Sequence, residues 1–132
     1  MGYESYDFRV SFERKKYKTK IIKRLLELNY KENEKIFEKR YDAGYIEILL
    51  EDNVFYLRTA KANNPAIIDL IFEDLDYINV EIPVVILDPQ IRKNISSQNY
   101  KLSKNQFVQM HEEFLRFFPK ILPPIRCEDI EF

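Results

Sequence analysis

The sequence predicts an α+β domain: a mostly antiparallel sheet of about five strands with helices packed on one face. Three observations lead there. Residues Tyr6, Phe8, Val10 and Phe12 alternate with Asp7, Arg9, Ser11 and Glu13, the period of a strand with one buried face. Three strand patterns then follow one another across the short polar connectors Asp42-Ala43-Gly44 and Glu51-Asp52-Asn53, which favours antiparallel pairing. The overall order of strand, helix, three strands, helix, strand, helix departs from the regular alternation that builds a parallel sheet. A ferredoxin-like variant carrying an extra meander strand is one arrangement of that order.

After the first strand, Ile21, Ile22, Leu25 and Leu26 fall on one stripe between Thr19 and Leu28, with Lys20, Lys23, Arg24 and Glu27 outside it. This is an amphipathic helix. The meander strands are expected at Ile36 to Tyr41, Tyr45 to Leu50 and Val54 to Thr59. The clearest helix start is Asn64-Pro65, where the Asn side chain can cap and proline gives up no donor that the helix needs. Ile67, Ile68, Ile71, Leu75 and Ile78 then recur at spacings of three and four, and Asp69, Glu73, Asp74 and Asp76 are expected on the outer face.

Val80 to Leu87 reads as a further strand, and Pro83 predicts that it lies at a sheet edge or carries a bulge, since proline cannot donate to the ladder. Residues Gln90 to Tyr100, rich in Asn, Ser and Gln, read as an exposed loop. A last helix is expected from about Ser103 to Phe118, burying Phe107, Met110 or His111, Phe114, Leu115 and Phe118, and ending at Pro119. The Pro-rich acidic tail 119–132 has too few apolar residues to form an element alone, so it is either strapped across the body or mobile.

A chain of 132 residues with 45% hydrophobic and 33% charged residues encloses one core, so 1–132 is expected to be a single domain. The 21 Lys and Arg offset the 22 Asp and Glu, leaving a net charge of −1 and no bulk argument for direct nucleic-acid binding. A basic run, Arg14-Lys15-Lys16-Tyr17-Lys18-Thr19-Lys20, could contact RNA by charge and stacking, but the acidic helix and tail weigh against it. One cysteine, Cys127, cannot form an internal disulfide, and no apolar run is long enough to span a bilayer. A cytoplasmic protein without membrane attachment is expected, a monomer with a homodimer as the alternative.

The two glycines, Gly2 and Gly44, exclude Gly-rich phosphate loops, and the lone His111 beside Glu112 and Glu113 forms no zinc motif. No cofactor, metal or catalytic residue is expected. Leu57-Arg58 and Ala60 end a strand, and Asn64-Pro65 opens a helix a few residues later. This corner resembles small immunity proteins of bacterial polymorphic toxin and contact-dependent inhibition systems, over about a quarter of the chain. The resemblance implies a cytoplasmic, non-enzymatic protein that binds a cognate toxin domain and blocks its active site or substrate groove.

Surface chemistry points the same way. A toxin domain that attacks nucleic acid needs a cationic cleft, and a clustered acidic surface is its complement. The expected partner contacts are Asp69, Glu73, Asp74 and Asp76, with Tyr77 as aromatic anchor and Glu128, Asp129 and Glu131 in support. Two alternatives stand beside this. One is a regulatory or assembly domain that binds a protein through a sheet edge near Pro83. The other is an enzyme whose site gathers Arg9, Glu47, Tyr56 and Arg58 from the strand faces.

Overall fold

The structure, a computed structural model, describes residues 4–129. Its elements are β1 (Ser5–Ser11), α1 (Tyr17–Glu27), β2 (Lys31–Asn33), β3 (Ile36–Tyr41), β4 (Gly44–Leu50), β5 (Val54–Ala60), α2 (Ala66–Asn79), β6 (Val85–Asp88), β7 (Lys93–Ile95) and α3 (Lys101–Phe117), with a 3-10 turn at Cys127–Asp129. All strands join one antiparallel sheet in the order β2-β3-β4-β5-β1-β6-β7. From β1 through α1 to the β4–β5 hairpin, and through α2 to β6, the four neighbouring strands β4-β5-β1-β6 follow the order of a ferredoxin-like sheet.

Seven strands replace the expected five. The extra β2 and β7 are three residues each, too short to show a period, and all of β2 is exposed. Backbone ladders to β3 and β6 hold them, and of their side chains only Ile95 of β7 is buried in the core, too little to show a pattern. β7 lies inside the stretch that reads as a loop. The strand expected from Val80 is shorter and begins after Pro83, at Val85. It is also interior, flanked by β1 and β7, so the sheet edge expected near Pro83 is not there. Proline is tolerated because it precedes the ladder and removes no rung.

One sheet face carries Tyr6, Phe8 and Val10 of β1, Phe55 and Leu57 of β5, Ile46 and Ile48 of β4, and Ile86 of β6, all buried. The three helices cover it. Ile21 and Leu25 of α1, Ile67, Ile68, Ile71, Phe72, Leu75 and Ile78 of α2, and Phe107 of α3 complete the core. Each fully buried aliphatic or aromatic side chain stabilises the fold by about 1.5–3 kcal/mol. Edge-to-face contacts of Phe8 with Phe72 and of Tyr6 with Phe107 tie β1 to α2 and to α3.

Two buried carboxylates stitch these layers. Asp88, at the end of β6, accepts hydrogen bonds from the Tyr6 hydroxyl, from Ser103 Oγ of α3 at 2.6 Å and from the Gln90 amide at 2.8 Å. Asp74, on α2, accepts from the Tyr30 hydroxyl at 2.8 Å and the Tyr41 hydroxyl at 3.0 Å. No buried side-chain polar atom among the described residues lacks a partner, as a closed interior requires. No helix among them is long and apolar enough to cross a membrane.

Candidate functional site

The helix expected to carry the site begins as its cap chemistry dictates: Asn64 Oδ1 accepts the Ala66 amide at 2.9 Å, immediately before Pro65 enters the first turn. The isoleucines then bury one side of α2, but the expected acidic outer face divides in three. Glu73 and Asp76 are exposed and make no hydrogen bond or ion pair with the described residues. Asp69 is half-buried between α2 and α3, where Lys104 Nζ lies 2.6 Å and the Tyr100 hydroxyl 2.7 Å from its carboxylate. Burial acts to raise its pKa, yet these two partners outweigh it and hold the carboxyl below the ordinary range.

Asp74 corrects the sequence expectation outright. It is buried on the inner side of α2, bound by Tyr30 and Tyr41 and lying 3.6 Å from Lys39 Nζ, so it offers nothing to a partner. Burial pushes its carboxyl above the usual range, against the opposing pull of Tyr30, Lys39 and Tyr41. The signal was present: Asp74 follows Ile71 by three and precedes Ile78 by four, which places it on the isoleucine stripe.

Tyr77 stands beside the free carboxylates. Its ring lies under the Arg24 guanidinium at 4.7 Å, and its hydroxyl donates to Glu27 at 3.2 Å. The ring is therefore held at the surface by α1 while keeping an exposed edge. Glu73, Asp76, Tyr77 and the exposed Val80 fall at i, i+3, i+4 and i+7, forming one ridge along α2.

The tail is strapped down, on the other face of the sheet. Asn63, fully buried, donates from Nδ2 to the Ile125 carbonyl at 2.8 Å and accepts the Ile125 amide at 2.7 Å. Gly44 makes room for this clamp, since a Cβ there would collide with the Asn63 side chain. Arg126 then stacks on Tyr45 at 4.7 Å and pairs with Glu38 at 3.1 Å, and Cys127 is buried over Glu47. Burial pushes the Cys127 thiol up to about 12, with the Glu47 charge adding to it. Glu128 and Asp129 are exposed, but with the sheet between them and α2 they cannot share a surface with Glu73 and Asp76. Glu131 lies outside the described residues.

The same open face carries the residues of the enzyme alternative. Arg9 faces Tyr56, and Glu47 faces Arg58, in adjacent rows of the register. They do not converge. Glu47 is almost fully buried, held by Arg58 Nη2 at 3.1 Å beneath the tail, and Arg9 lines a different cavity from Glu47 and Arg58. His111, on α3, stacks on Phe107, and its Nδ1–H donates to the Lys61 carbonyl at 2.6 Å, a structural placement. No known protein family, curated protein or solved structure matches the chain.

Proposed function

We propose that this chain is a non-catalytic protein-binding inhibitor, an immunity protein that neutralises a cognate bacterial toxin domain in the cytoplasm, acting as a monomer. The observation that carries the reading is the α2 ridge. Glu73 and Asp76 keep free carboxylates at the surface, whereas Asp69 and Asp74 on the same helix are taken up by internal partners. Charges without internal partners are available to another molecule, and the Tyr77 ring, already held by Arg24, adds an anchor that loses little freedom on binding.

A toxin domain that cuts nucleic acid must gather phosphates in a cationic cleft. A narrow acidic ridge on a helix whose inner side is locked in the core fits such a cleft and would occlude it without any reaction. The single cysteine suits a reducing compartment.

The test is co-purification with the toxin domain encoded beside this chain, followed by titration calorimetry of the E73K/D76K double variant. Reversing two close charge pairs at roughly 1.5 kcal/mol each should weaken binding by about 150-fold. Absence of a complex would overturn the reading. An unaffected double variant would overturn the assignment to α2.

A further inference from the structure

The lower end of the open sheet face holds a feature that the inhibitor reading does not use. Where β1 ends, between the first residues of β5 and β6, lies a cavity of about 430 Å³. Its floor is the register row Val54–Ser11–Val85, with Ser11 paired to both valines. Tyr17, the first residue of α1, lines it as well, together with Arg9 and Arg14. The corner is stiff, because the Phe12 amide donates to the Asn53 carbonyl at 3.1 Å and ties the end of β1 to the β4–β5 turn.

The charges are arranged unevenly. Lys15 and Lys18, next to this corner, both pair with Asp52. Arg9 and Arg14 make no ion pair or hydrogen bond through their side chains with the described residues. Lys16 and Lys20 add positive charge over the Tyr17 ring, at 5.7 and 5.8 Å. Glu13 is the one opposing carboxylate of the lining, so the two guanidiniums exceed it. A cavity of this volume, with two valines flanking Ser11 on its floor and two unpaired arginines in its lining, has the make-up of a small-ligand site. Arginine presents paired donors that match the oxygens of carboxylate and phosphate.

We propose that this cavity binds a small organic anion: a flat apolar body seated on Val54 and Val85 against Tyr17, with one carboxylate or phosphate held by Arg9 and Arg14. None of the residues that line the site belongs to the α2 ridge.

The test uses the whole chain alone, followed by amide chemical shifts during titration with phenyl phosphate, benzoate, inorganic phosphate and phenol. Saturable shifts confined to Arg9, Ser11, Arg14, Tyr17, Val54 and Val85, with a Kd of about 1 mM or below for phenyl phosphate or benzoate, are expected for a ligand of this size. The comparison between those two identifies the preferred anion. R9Q/R14Q should weaken binding at least tenfold, and E13Q should tighten it. Equal binding of inorganic phosphate would overturn the apolar seat, and equal binding of phenol would overturn the anion site. Absence of saturation by about 10 mM of every probe would overturn the proposal entirely.

Discussion

Asn63→Ala should release the tail without unfolding the domain. Asn63 meets Ile125 through two hydrogen bonds, one to its carbonyl at 2.8 Å and one from its amide at 2.7 Å, and a third bond runs to Thr59 Oγ1 at 3.0 Å. At about 1–1.5 kcal/mol net for each bond to Ile125, truncation removes roughly 2–3 kcal/mol from the attachment of the tail. That raises the open fraction by about 30- to 150-fold. Cys127 reports on opening without ambiguity, being the single cysteine of the chain. Closed, it is 2% exposed with its thiol pushed up to about 12, and it should be inert at pH 8. Opened, it recovers an ordinary thiol pKa near 8.5 and a substantial thiolate fraction. Labelling by a water-soluble disulfide reagent should therefore accelerate by about 30- to 150-fold, while far-UV circular dichroism stays native. An unchanged labelling rate would refute the clamp. So would a labelling rate whose urea dependence equals that of global unfolding, because opening would then require loss of the whole fold.

Two further outcomes follow from the buried ionisable groups. Asp74→Ala deprives Tyr30, Tyr41 and Lys39 of their shared acceptor and should cost about 3–5 kcal/mol in urea unfolding; a loss under about 1 kcal/mol would show that water or rearrangement replaces the carboxylate. Alkaline stability should separate Cys127→Ala from the native chain. The thiol pKa is raised on folding, so its favourable contribution is intact below the unfolded value near 8.5 and is lost as pH climbs toward about 12. Tyr6, Tyr30 and Tyr41, also pushed above the ordinary phenol range mainly by burial, titrate in both proteins and cancel in the comparison. Between pH 9 and 11 the native chain should lose about 2 kcal/mol more than the variant, and parallel curves would refute the reasoning.

Elements with a buried side are legible in the sequence. β1, α1, the β3–β4–β5 meander and α2 each repeat an apolar residue at the period of their geometry, and Asn64-Pro65 marks where α2 starts. β2 and β7 are not, because Lys31-Glu32-Asn33 is exposed throughout, Lys93-Asn94-Ile95 buries Ile95 alone, and three residues are too short to repeat anything. Of the expected contacts, Glu73, Asp76 and Tyr77 come together on one ridge. Asp69 is taken up by Lys104, Asp74 faces inward, and Glu128 and Asp129 lie beyond the sheet. What a single sequence lacks is register across distant strands. Nothing in the spacing of Arg9, Ser11, Val54 and Val85 says that they meet at one corner, because the pairing of β1 with both β5 and β6 is set by the core as a whole.

The misplaced carboxylate explains the ridge. Isoleucines alone define a broad stripe, and a helix resting on them could roll without losing much apolar contact. Asp74 removes that freedom, because two tyrosine hydroxyls and a lysine from β3 and the α1–β2 connection reach it only when it points into the seam. With Asp74 turned inward, a rotation of about 100° per residue puts Glu73 about 100° back and Asp76 about 160° back on that same side, so the two stand about 60° apart. Both then face solvent, and Tyr77 meets Arg24 of α1. The residue withheld from the surface thus fixes which residues appear on it. A buried carboxylate of this kind fixes the rotation of a helix even where a well-packed apolar side chain would stabilise the seam as much or more.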